Sequence, residues 1–351
     1  MRAVPETSDM QGEDLSADDA WHTVSRVGLR ALLLDALRRF RYGDGFSHAR
    51  AFALQLALAT VPLIIAGSGL AGAVGVESVA EVVARTVVAV SPGSGDQLLG
   101  DVVDRRAPTP TPVPAGEEAE EDPERPGEDL GEVALGFGLA PAFLALTSAF
   151  AQLERGANRI YGTERDRPLL RKYARAAALT LTAGSALGVG LVLIVAGGPF
   201  GTALEEVYHW GDTAETVWDV VRWPVGLLAL VVAVTVLFRH APRRRQPGLT
   251  WLALGAGLTV VLWLGASGLV AVYVALSAGF SETYGPLAGI MALLLWATVT
   301  GVALLLGVAV SAQLEAVRAG QGDPRRADED DDGIPAQLAV SRDDQGVSSS
   351  G

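Results

Sequence analysis

The side chains able to do chemistry in this chain are few and scattered. Its four histidines, His22, His48, His209 and His240, form neither an H-x-H pair nor an H-E-x-x-H face, so no metal ligand set is legible. There is no cysteine, which removes thiolate ligands, disulfides and cysteine nucleophiles together. The Gly-rich runs lack the Lys-Ser/Thr that a phosphate loop needs. The expectation is a protein with no catalytic residues, no metal and no cofactor.

Polar residues inside otherwise apolar stretches say more, because hydrocarbon makes them costly. Gln55 and Thr60 share one stretch with Pro62, whose missing N–H frees a carbonyl and invites a kink. Gln152, Glu154, Arg155 and Asn158 close a second stretch, and Glu154 with Arg155, Asn158 and Arg159 is read as a local polar knot. Gln313 and Glu315 close the last stretch, while Glu282 and Tyr284 stand at the opposite level. Gln55, Thr60, Gln152, Asn158, Glu282, Tyr284 and Gln313 thus outline a candidate polar path through a bundle. The competing reading of each cluster is an interfacial cap or anchor.

These residues sit in a chain of unusual composition. Half of its 351 residues are hydrophobic, only 19% are charged, and aromatics are scarce against 41 glycines. Stretches free of charge run over 51–76, 133–153, 176–204, 223–238, 246–281 and 283–314. A bilayer core of about 30 Å needs roughly 20 helical residues. Five stretches reach that length, and Arg222 can snorkel to lengthen the fourth, with Trp210 and Trp223 as interfacial aromatics. The fold class is therefore all-α, a polytopic membrane protein with six transmembrane helices over about 51–75, 133–153, 174–197, 220–238, 249–276 and 286–314. Four-residue glycine spacing, Gly184 with Gly188 and Gly285 with Gly289, marks expected helix-packing faces.

Arginine and lysine set the expected orientation. Before span one lie seven, between spans two and three seven, between four and five four, and after six four; the alternate loops hold only five in all. The positive-inside rule then puts both termini in the cytoplasm, and in a bacterium the location is the cytoplasmic membrane. The net charge of −13 does not describe this core: 1–19 carry −5, 117–129 carry −7 and 320–351 carry −5, which leaves the remainder at +4.

The membrane domain is expected over 16–318, between a disordered tail at 1–15 and a disordered acidic tail at 319–351. A Pro-rich acidic insertion at 105–129 is expected to be disordered as well. Two amphipathic helices are expected on the membrane surface. One runs over 17–40, with Trp21, Val24, Ala31, Leu34 and Leu37 near one face and Arg26, Arg30, Arg38, Arg39 and Arg41 supplying positive charge. Ser16 and Asp19 form its capping box. The other covers 78–90. The first span begins too far in, behind too acidic a start, to be a signal peptide.

Several motifs resemble the YihY/BrkB family, which has carried a ribonuclease BN-like label. They are Asp44-Gly45, Pro62 and Asn158-Arg159-Ile160-Tyr161-Gly162, then Tyr284-Gly285-Pro286-Leu287, Leu293-Leu294-Leu295-Trp296 and Leu305-Leu306-Gly307. The resemblance covers about 40–318 and implies a six-span inner-membrane protein. The chain departs from the pattern at Leu54 and Gln55, where an aromatic pair is common, at Thr298 for a Tyr, and at Ala309 for a Glu.

The resemblance also implies a link to envelope properties and lipid handling. The expected function is transport of a lipid or another amphipathic envelope molecule, with membrane lipids as partners. The alternative is a non-transporting scaffold that self-associates or binds envelope proteins through its acidic segments. No nucleic-acid partner is expected, because the basic loops 155–175 and 239–245 supply charge that membrane topology already explains.

Overall fold

A computed structural model describes residues 4–8, 15–74, 126–163, 167–195, 212–276 and 286–324. All regular structure among the described residues is helical. Two short helices, α1 (Ala17–Val27) and α2 (Leu29–Tyr42), precede the spans. Span one is α3 (Gly45–Val74) and span two is α4 (Pro126–Ile160). Span three, α5, joins Leu169–Leu179 to Ser185–Val195 through a π-helical turn at Thr180–Gly184. Spans four, five and six are α6 (Asp212–His240), α7 (Leu249–Leu276) and α8 (Pro286–Arg318).

Six of these helices are long and apolar enough to cross a bilayer. Their outward faces stay apolar. Val61, Leu144, Val261 and Leu269 are all more than 60% exposed, which suits contact with acyl chains. Each span packs on the next, and span six closes on span one, so the six form a ring. The tightest approaches use small residues. A Cβ on Gly138 of α4 would strike the Ala66 backbone of α3, and Gly255 of α7 faces Gly307 and Ser311 of α8.

Helix ends extend past the uncharged stretches. α4 continues through Glu154, Arg155 and Arg159, while α5 begins before Arg171, Lys172 and Arg175. Arg155 and Arg159 are exposed, and Glu154 is buried and pairs with Arg167. Span four extends about three turns before Arg222, back to Asp212. Arg222 pairs with Asp219 at 3.4 Å and lies 5.9 Å from the Trp223 ring. α3 runs through Pro62 as one continuous helix.

Several expectations need correction. Residues 4–8 of the supposed disordered tail are packed, with Val4 and Thr7 buried and the Thr7 N–H donating to the Tyr161 carbonyl at 3.1 Å. Gly162 lets them approach. Its φ is +77°, and a Cβ there would lie 2.5 Å from the Pro5 carbonyl oxygen. Residues 319–324 of the C-terminal tail are also tied down, through Gln321 and Gly322. At the end of the acidic insertion, 126–129 are helical, because Pro126 suits a first turn. Residues 105–125 and the expected helix at 78–90 lie outside the described residues.

The helix expected over 17–40 is broken at Gly28, whose φ of +88° ends α1 and opens α2. The capping box at Ser16 and Asp19 is present. The buried face of α2 is Leu32, Ala36, Arg39 and Phe40; Trp21, Leu34 and Leu37 are exposed. Arg39 is thus an interior residue, not a surface charge.

Candidate functional site

The charged ends of the helices converge into a buried polar layer. Arg39 of α2 lies at its centre, donating from Nε to Gln313 Oε1 of α8 at 2.9 Å and from Nη1 to Thr7 Oγ1 at 2.8 Å. Burial pushes its pKa down to about 10, and Tyr161 and Glu315 oppose that shift. Arg39 therefore keeps its charge at neutral pH. Gln313 completes the bridge by donating from Nε2 to the Gly322 carbonyl at 2.6 Å.

A second cluster abuts the first. Tyr161 donates its hydroxyl to Glu315 Oε1 at 2.8 Å, and its oxygen stands 3.2 Å from the Gln246 side-chain amide. Arg244 pairs with Glu315 at 3.0 Å while its guanidinium stands 4.7 Å from the Tyr161 ring centre. Burial, then the Glu315 charge, raises the Tyr161 pKa, so the phenol stays protonated. Nearby, Glu154 pairs with Arg167, whose Nη2 also donates to the Pro242 carbonyl at 3.2 Å. Asn158 Oδ1 accepts from the Arg243 N–H at 2.7 Å. The expected knot of Glu154 with Arg155 and Arg159 is replaced by these longer-range pairs, because those two arginines project from the other side of α4.

Above this layer, within the ring, lies a partly enclosed cavity of about 500 Å³. All six spans line it, and no lining residue among the described residues carries a charge. Phe52, Leu146, Phe150, Leu191, Leu230 and Leu304 give an apolar wall, and the polar lining groups among the described residues are the Thr180, Ser185, Thr259 and Thr300 hydroxyls and the indoles of Trp263 and Trp296. The hydroxyls of Thr180, Thr259 and Thr300 donate to carbonyls four residues back in their own helices, and Trp263 Nε1 donates to Thr300 Oγ1 at 3.1 Å. The hydrogen-bonding capacity of these groups is largely used inside the protein. The π-helical turn of α5 sits on the cavity wall and brings Thr180 within 3.5 Å of Thr147 on α4.

Of the candidate polar path, the structure brings Asn158 and Gln313 into the buried layer. Gln55, Thr60 and Gln152 are half-buried on spans one and two and do not line the cavity; Thr60 donates to its own Leu56 carbonyl at 3.2 Å. Glu282, Tyr284 and Gly285 lie outside the described residues. Gly184 packs on Phe150, where a Cβ would come within 3.2 Å. Gly188 is a correction: a Cβ there meets nothing within 4 Å, and the residue faces the cavity instead of a helix. Gly289 is buried.

At the positions that depart from the family pattern, Leu54 faces outward, Thr298 donates to Leu294, and Ala309 is fully buried. Sequence reasoning missed Arg39, Tyr161, Arg244 and the cavity tryptophans. The buried periodicity Leu32, Ala36, Arg39 was the available signal for the first. For the last it was two tryptophans deep within spans, away from any interface.

This architecture defines a class: a multi-pass α-helical membrane protein whose spans ring an uncharged cavity above a buried polar layer. The chain belongs to the Virulence factor BrkB family, whose profile matches residues 36–332. It is similar to the ribonuclease-like protein YfkH of Bacillus subtilis (strain 168), at 28% identity over 180 residues. That match covers 51% of this chain and 65% of the relative, just under two thirds of its length. No solved structure matches.

Proposed function

We propose that this protein moves a lipid or another amphipathic envelope molecule across the bacterial cytoplasmic membrane, with both termini in the cytoplasm. The carrying observation is the uncharged cavity of about 500 Å³ that all six spans share. Its size lies within the roughly 300–1,000 Å³ of pockets that hold small molecules. An ion pathway needs intramembrane charges or carbonyl rings, whereas this wall suits an alkyl chain. The polar layer one helical turn below Phe150 supports a closed state at the charged end, with Glu154 on the same face of α4.

The reading is non-enzymatic. In the polar layer, Arg39, Glu154, Tyr161, Arg167 and Gln313 join separate elements to one another, which supports a structural use of these groups over a nuclease centre. Membrane lipids are the proposed partners.

Photo-crosslinking tests the cavity directly. A phospholipid bearing a diazirine in its acyl chain should label Phe52, Leu146, Trp263 and Leu304 in nanodiscs. Gly188→Trp, which grows into open space, should abolish that labelling. Adducts confined to outward residues such as Leu144 and Leu269 would refute the reading.

A further inference from the structure

Helix α2 has two faces of opposite character. Its buried face carries Arg39 into the polar layer. The opposite arc exposes Leu34 at 50% and Leu37 at 47%, interleaved with Arg30, Arg38 and Arg41. At 100° per residue these five side chains fall within about a third of the helix circumference. On the neighbouring elements, Trp21 of α1 is 65% exposed and Phe46 at the start of span one is 53% exposed.

Two ordinary explanations fail for this arc. A solvated face does not need leucines, and a core face does not carry arginines. Only Arg38 has an acidic partner, Asp35 at 2.9 Å; Arg30 and Arg41 form no ion pair among the described residues. Just Gly43 and Asp44 separate α2 from span one, so the helix sits beside the charged end of a membrane span.

We infer that the exposed face of α2 is a binding surface for the phosphate headgroups of anionic phospholipids. Leu34 and Leu37 enter the acyl boundary while Arg30 and Arg41 reach the phosphates, and the long arginine stems allow both at once. Arg39 projects from the same rigid helix, so headgroup binding also holds the polar layer in place. The inference does not depend on what the cavity carries.

The chain lacks cysteine, so Leu34→Cys accepts a single nitroxide label. In vesicles of phosphatidylglycerol and phosphatidylcholine, the label on the full chain should be reached by oxygen and shielded from a soluble nickel chelate. Native mass spectrometry from equimolar mixed micelles should show preferential retention of phosphatidylglycerol. Arg30→Gln with Arg41→Gln should lower that preference about fivefold per charge removed, and the matching Lys variants should keep it. Inorganic phosphate should not compete. Both arginines are exposed, so thermal unfolding should be unchanged in these variants. Access of the nickel chelate, unchanged lipid preference in the Gln variant, or competition by phosphate would each overturn the inference. So would a label shielded from both reagents, which would mean that protein, such as the acidic 328–332 segment, covers the face.

Discussion

Arg39 on α2 and Gln313 on span six meet through a 2.9 Å hydrogen bond in which both side chains are buried. The two lie 274 positions apart, and their contact fastens a surface helix to the last span. Thr7 accepts from the same guanidinium and Gly322 accepts from the same Gln313, so segments flanking the membrane domain on both sides join this one pair. Replacing Arg39 with Leu removes charge-assisted bonds of about 1.5–3 kcal/mol each and recovers some desolvation cost. The expected net loss is roughly 3 kcal/mol in a reversible denaturant titration in detergent, with 4–8 becoming protease-sensitive. Unchanged stability would mean that the guanidinium organises nothing.

Tyr161→Phe isolates a single hydroxyl. The ring stays beside Arg244, but Glu315 loses a 2.8 Å donor. A loss of about 1.5–3 kcal/mol is expected. Because the folded pKa lies above the ordinary 10.0, the contribution is fully present below pH 10 and is lost as pH rises through the folded value. The wild-type advantage over Tyr161→Phe should therefore be constant from neutral pH to about 10 and shrink above it. A difference that already fades near neutral pH would contradict the assignment.

Two glycines should respond in opposite ways. Gly255 faces Gly307 and Ser311 across the span five–six contact, so Gly255→Leu must part the helices and should cost at least about 1–3 kcal/mol. Gly188 meets open cavity, so Gly188→Trp should change stability by no more than roughly 1 kcal/mol. Thermal unfolding of the pair checks this contrast, and equal destabilisation would contradict the cavity's place on α5.

The six spans were legible because hydropathy is a property of consecutive residues, which a bilayer reads directly. Lateral partners were not. Four-residue glycine spacing pointed to Gly188, but a glycine packs only if another helix comes opposite it, as α8 does at Gly307 for Gly255. Charge counting made Arg39 a surface cation, although its own helical phase with Leu32 and Ala36 turns it inward. The break at Gly28 was hidden because amphipathic periodicity continues on both sides. Asn158 and Gln313 were found as polar residues at span ends. Their partners, Arg243 and Arg39, come from distant segments and leave no local trace.

Transport through the shared cavity predicts that lipid exchanges between the two leaflets. Liposomes holding the purified protein and a fluorescent phospholipid, exposed to an outside quencher, test it most directly. Quenching should pass the half-maximal limit of a one-sided label with wild-type protein and stay there with Gly188→Trp of equal stability. Exchange that is equally fast in both proteins, or absent from wild type across several headgroups, would contradict it.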